Sequence, residues 1–200
     1  FQRENSSAMN QKNAEAERMK EYPVRSITPC SLEWPEPFNR VHPTLSTVFL
    51  RGHWQRKKPW VGVVGARASD TYGETVAYRI GKALGEMGIP LCTGGARGID
   101  SAAIQGALDG NGEVHVVFGT SIEQVASGPH RYRFERVLKN GGSWSSEQPE
   151  GSQVRPYHFR NRNRMIAALS KSLVVVQAAS RSGSLSTARW ARSLGCSLWA

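Results

Sequence analysis

The residues equipped for chemistry concentrate in one short run, Tyr157 to Ala168 (YHFRNRNRMIAA). It holds Arg160, Arg162 and Arg164, Asn161 and Asn163, and the aromatics Tyr157 and Phe159. An apolar stripe of Met165, Ile166 and Leu169 follows at helical spacing and reads as a buried face. A helix with so basic a first turn opposes its own macrodipole, because cations are disfavoured at a positive N-terminus. An anion seated there removes the conflict. Phosphate suits the place best, since helix N-termini and guanidinium forks both bind it. The plainer reading of the same run is a solvated basic face paired with nearby carboxylates.

Three further stretches join small residues to an arginine: VVGAR (Gly65, Ala66, Arg67), TGGARGID (Gly94, Gly95, Ala96, Arg97, Gly98) and ASRSGS (Arg181, Ser182, Gly183, Ser184). Glycine lets backbone N–H groups approach an anion, and each following helix adds the positive end of its dipole. None matches GxGxxG or a P-loop, so each alone reads equally well as a tight strand-to-helix turn. Placed together at strand ends, and combined with the RNRNR run, they argue for a phosphate-binding groove. Phe159 and Tyr157 would stack bases in such a groove, or Phe159 would pack into the core ahead of the helix.

Catalytic signals are weak. Asp100 falls in the first turn after TGGARG, where a carboxylate suits the dipole; a helix cap or a brace for Arg97 is the first reading, a catalytic role the second. Glu147 ends a strand and reads as solvated or salt-bridged, with a general base as the alternative. His42, His53, His115, His130 and His158 show no ligand spacing, so no metal is expected. Neither a Ser–His–Asp nor a Cys–His arrangement emerges, and no cofactor is called for. In GPHRYRFERV, Arg133 and Arg136 read as helix surface.

The elements that must hold these residues alternate. WVGVVGA reads as a buried strand and Tyr72 to Met87 as a helix; IPLCTG is a strand and Ile99 to Leu108 a helix. VHVVFG is a third strand, Arg133 to Lys139 a helix, Ser143 to Glu147 a weaker strand. The basic helix, the strand SLVVVQA, a helix from Leu185 to Leu194 and the strand-like CSLWA complete the chain. Val-rich strands alternating with helices imply an α/β fold, a mostly parallel sheet with helices on both faces. Ligands of such sheets collect beyond the carboxyl ends of the strands. Residues 1–21 read as a polar linker or tail, 22–59 as a proline-punctuated lead-in packed on the domain, and 60–200 as the domain itself. Trp34, Phe38 and Val48 to Leu50 are the lead-in's contacts. Both ends read as cuts from a longer chain, which starts at Phe1 and stops within CSLWA.

The formal net charge of +10 over 200 residues favours a polyanionic partner, nucleic acid first and an acidic membrane surface second. No apolar run reaches the length of a membrane span. Cys30, Cys92 and Cys196 are few and unpaired in spacing, which suits a reducing cytoplasm.

Four ordered stretches, VGVVGARASDTYG, TGGARGIDSAAIQGAL, FRNRNRMIAALS and VVVQAASRSGSLSTA, resemble the DprA/Smf (DNA-processing protein A) family across Trp60 to Ala200. The resemblance implies an extended Rossmann-like fold that binds single-stranded DNA in a basic pocket at the strand ends. It also implies a homodimer that hands DNA to a RecA-type recombinase during natural transformation, with any winged-helix tail beyond Ala200. Arg67 falls on the arginine of the family's G-S-R turn. Gly94, Arg97, Gly98 and Asp100 fall on its glycine-rich turn; Phe159, Arg162, Asn163 and Arg164 fall on F-x-x-R-N-R. Ser182, Gly183, Ser184 and Thr187 fall on S-G-S-L-x-T-A. Ala66 stands where serine is usual, Ile104 where histidine is, Ala168 where glycine is, and Gln177 where an acidic residue is, which weakens any hydrolytic reading. Gly128–Pro129 replaces the usual Tyr–Pro.

The resulting reading is a non-catalytic single-strand DNA binder. A nucleotide-derivative sensor or a phosphoribohydrolase resembling the LOG enzymes is the alternative, although no PGGxGTxEE motif occurs. An interaction scaffold with incidental charge is the third.

Overall fold

Runs rich in valine become central strands because both of their faces can be covered, and the sheet is built around three of them. β3 (Trp60–Gly65), β5 (Val114–Phe118) and β7 (Ser170–Val176) alternate with β4 (Leu91–Thr93), β6 (Ser143–Ser146) and β8 (Ser197–Trp199). The computed structural model describes residues 21–54, 58–180 and 182–200. The expected polar tail therefore lies, but for Glu21, outside the described residues, as does Arg181.

With β1 (Arg25–Ile27) and β2 (Val48–Gly52) from the lead-in, the eight-stranded sheet runs β1-β2-β6-β5-β4-β3-β7-β8. From β6 to β8 every pairing is parallel. The chain moves outward from β3 through β4 and β5 to β6, then returns to lay β7 and β8 on the other flank of β3. The strand order thus reverses between β3 and β7, the place where open α/β sheets bind ligands. The lead-in does more than drape over this frame. Its β2 pairs antiparallel with β6, Leu50 opposite Ser145, and its β1 pairs antiparallel with β2.

Two apolar cores lie on the two faces. On one, α1 (Thr71–Glu86), α2 (Ile99–Asp109) and α4 (Arg131–Lys139) bury Ala77, Ile104 and Leu138 against the sheet. On the other, α5 (Pro156–Leu169) and α6 (Gly183–Ser193) meet the lead-in around Phe38, Met165 and Ala191. Helices α1 and α2 approach backbone to backbone; a Cβ at Gly85 would sit 2.6 Å from Ala107 O. A five-residue helix, α3 (Ile122–Ala126), was not expected from periodicity. It is fixed by a capping box in which Ser121 and Gln124 bond each other's backbone.

Candidate nucleic-acid interface

Gly65 ends β3 where there is no room for a side chain: a Cβ would press on Val176 O and lie 2.6 Å from Ile99 Cγ1. Beyond it, Ala66 N donates to Gln177 O at 2.8 Å, and Ala66 O accepts from Ile99 N at 3.2 Å. Three loops, those after β3, β4 and β7, are thereby bonded to one another at the switch point. Gln177, with φ of 52°, completes the join. Its Oε1 accepts from Asp70 N at 3.2 Å, and its Nε2 donates to Asp70 Oδ2 at 2.9 Å. Asp70 in turn caps α1 by accepting from Gly73 N at 2.7 Å. The amide is needed as both donor and acceptor here.

Onto this rim the structure brings Gly65, Arg67, Gly94, Gly95, Arg97, Gly98, Phe159, Asn163, Ser182, Gly183 and Ser184. Arg67, Arg97 and Arg160 are exposed. The Arg67 guanidinium carbon lies 5.6 Å from the Phe159 ring centroid. Phe159 is half-buried, its ring edge so close to Gly119 that a Cβ there would meet Cδ1 at 2.9 Å. It is packed against Gly119 and faced by Arg67, between the two readings of the sequence. Asn163 Nδ2 donates to Gly183 O at 3.1 Å, tying α5 to the start of α6, where the Ser182 and Ser184 hydroxyls sit 2.8 Å apart.

Two arginines of the RNRNR run take different places from those expected. Helix α5 starts at Pro156 with Arg155 as its N-cap, so Arg160, Arg162 and Arg164 lie beyond the first turn. The argument from the dipole does not apply to them. Arg162 is 4% exposed; its Nη1 donates to Gly94 O at 2.6 Å and also to Val117 O. Arg164 is 2% exposed and grips Glu147 with both forks, Nη1 to Oε1 at 3.1 Å and Nη2 to Oε2 at 2.7 Å. Its Nε donates to Pro43 O at 3.0 Å, pinning the lead-in to the helix. These guanidinium groups are occupied by protein, because Arg162 shares the helical spacing of Met165, Ile166 and Leu169 and goes inside with them. The plainer reading holds for the pairing of Arg164 with Glu147 and for exposed Arg160, but Arg162 and Arg164 are buried, not solvated.

Asp100, 5% exposed, braces this interior and not Arg97: its Oδ2 accepts from Ala96 N at 3.2 Å. Burial pushes its carboxyl above the ordinary range, opposed first by the charge of Arg162. Burial likewise draws Arg162 down to about 10, with Asp100 opposing and the like charge of Arg67 adding to the fall. A buried cation and an exposed one thus share the positive field at the mouth of the β3 and β4 turns.

Elsewhere, Arg133 bonds Ser101 and Arg136 bonds Gln105, so both tie α4 to α2 at the surface. His115 lies between the Ser143 and Ser145 hydroxyls at 2.7 and 2.9 Å. Among the described residues no group of three or more His, Cys, Asp or Glu is placed to hold a metal, and no helix is long and apolar enough to cross a membrane. Sequence reasoning missed the Asp70–Gln177 bracket and the Asp100–Arg162 pair. Helical spacing could have flagged the second; no local signal announces the first.

Residues 25–200 match the family model of DNA recombination-mediator protein A. Protein Smf of Escherichia coli (strain K12) is 39% identical over 140 residues, 70% of this chain and 37% of its own length. Against the X-ray structure of DNA processing protein A from Streptococcus pneumoniae the TM-score is 0.78 at 29% identity, covering 92% of this chain and 64% of that one. DNA processing protein A from Helicobacter pylori, described for its single-stranded DNA binding mode, gives 0.76 at 23% identity, covering 88% and 80%, a likeness of fold. The chain spans about a third of the length of the first curated relatives it matches, 34% and 37%.

Proposed function

The chain belongs to the DNA recombination-mediator protein A family, the DprA/Smf proteins, and on that premise we propose that it binds single-stranded DNA without catalysis and presents it to a RecA-type recombinase. The observation that carries the reading is the convergence of three glycine- or serine-bearing turns, with exposed Arg67 and Arg97, on the reversal of strand order between β3 and β7. The glycine-bearing turns after β3 and β4, and the Ser182–Gly183–Ser184 turn at the start of α6, let phosphates approach closely there, while the Ala96 N–H is held by Asp100. Arg67, Arg97 and Arg160 neutralise them, and Phe159, with Arg67 over its ring, stacks a base. Asn163 holds the α6 turn; Arg162 and Arg164 shape the trough from inside. The protein works as a homodimer in DNA uptake and recombination.

The reading is tested by fluorescence anisotropy with single-stranded, duplex and RNA oligonucleotides over a salt series. Single strands should bind best and without sequence preference. A dimer that co-purifies with a recombinase yet ignores every oligonucleotide would make the chain a scaffold instead.

A further inference from the structure

Arg162 reaches the rim from below. Its guanidinium lies against Gly94, where a Cβ would come within 2.7 Å of Nη2 and 2.8 Å of Cζ. From there it draws together the carbonyl ends of two neighbouring strands, Gly94 O after β4 and Val117 O within β5. Asp100, whose charge answers that of Arg162, holds Ala96 N in the same turn. Gly98, with φ of 72°, then lies against the β3 turn, since a Cβ on it would meet Ala66 O at 2.5 Å and Arg67 O at 2.9 Å. A continuous path of contacts therefore runs from α5, through Arg162, Gly94, Ala96 and Asp100, to the backbone that carries Arg67.

We propose that Asp100 and Arg162 form a buried positioning pair that sets the Gly94–Gly98 turn, and with it the Arg67 backbone, in the shape that receives phosphate, and that neither touches DNA. The inference rests on the single-strand reading above. The alternative use of Arg162, a direct phosphate ligand, is opposed by its 4% exposure and by the two carbonyls it already serves. A guanidinium committed in this way still adds to the field. Arg67 is its like-charged neighbour, so an anion at the mouth is attracted by both charges and eases their repulsion. Lysine cannot replace arginine here, because a single ammonium does not reproduce a planar fork that spans two carbonyls.

The test separates position from contact through the salt dependence of binding. Each phosphate neutralised contributes about 0.7 to the slope of log affinity against log salt for a single strand. Arg162→Lys and Asp100→Asn, both checked for a cooperative thermal transition, are compared with wild type and with Arg67→Ala using an oligo-dT probe. The pair of variants should lose about tenfold or more in affinity while keeping the wild-type slope; Arg67→Ala should lose about 0.7 of slope. A slope lost by Arg162→Gln, a further variant that removes the charge, would make Arg162 a phosphate ligand and overturn the proposal. Unchanged affinity in both folded variants would overturn it equally. Hydrogen exchange at the Gly94–Gly98 amides is read in parallel without DNA, and should quicken in both variants relative to amides of β7. If the wild type binds no single strand, the functional reading falls on its own. Faster exchange would then uphold the pair's hold on the turn, and unchanged exchange would refute that as well.

Discussion

The guanidinium carbon of Arg67 stands 5.6 Å from the centroid of the Phe159 ring, joining the turn after β3 to the first turn of α5. A cation thus lies over an aromatic face, the two groups that the phosphate and the base of one nucleotide each seek. The two contributions separate experimentally. Phe159→Ala should weaken single-strand binding by about 1–3 kcal/mol with the salt slope intact, since stacking is not ionic. Arg67→Ala should flatten the slope by about 0.7. Anisotropy titrations at four or five salt concentrations check both.

The arginines of the RNRNR run should part company by depth. Arg160 is exposed, so Arg160→Ala should change stability by no more than about 0.5 kcal/mol while lowering the salt slope. Arg164→Met leaves the Glu147 carboxylate, 15% exposed, without its partner. Removing one member of a buried pair costs about 3–5 kcal/mol, so urea melts should show a large loss of stability. The salt slope of whatever protein remains folded should not move. Charge reversal at Arg164 would therefore report on folding and say nothing of the groove.

Depth is also where the sequence was hardest to read. Val-rich strands and the helices between them are set by local period, and α2 was expected over Ile99 to Leu108 against Ile99–Asp109 observed. Strand β2 reads as part of a lead-in because its place depends on Trp144 and Ser145, almost a hundred residues on. Helix α3 carries only one turn of pattern, too little for a period to show. Arginine is read as surface by default, and Arg162 and Arg164 go inside because Asp100 and Glu147, remote in sequence, meet them there. The glycine turns were legible because strand ends in a parallel sheet share one edge whatever the details of packing. Gln177 looked like a lost acid; its amide is what lets it bond both the N–H and the carboxylate of Asp70.

A pH dependence follows from Asp100. Its folded carboxyl titrates above the ordinary value, so over the window from about 3.9 upward the folded state binds the proton more readily than the unfolded chain. The stability this group contributes is full below that window and declines as pH rises through it. Asp100→Asn cannot titrate. The difference in unfolding free energy between wild type and Asp100→Asn, measured by urea melts from pH 4 upward, should fall with rising pH and then level off. A difference that grows with pH would mean that the carboxylate is held by its partners more strongly than burial opposes it.

Gly98 joins the two turns through a backbone that other residues rarely adopt. Gly98→Ala meets both an unfavourable φ of 72° and Ala66 O, 2.5 Å from the new Cβ. The loss should exceed the roughly 1 kcal/mol of an ordinary glycine-to-alanine change, with thermal melts as the check. Affinity for a single strand should fall in the same variant, because the turn that presents the Gly94–Gly98 amides shifts with it.

The most direct measurement is the salt slope of oligo-dT binding for wild type beside a triple variant, Arg67→Ala, Arg97→Ala and Arg160→Ala. Removing three phosphate contacts should flatten the slope by about 2 while the melting temperature holds. A triple variant that keeps both the wild-type slope and the wild-type affinity would place the DNA somewhere other than the carboxyl edge of this sheet.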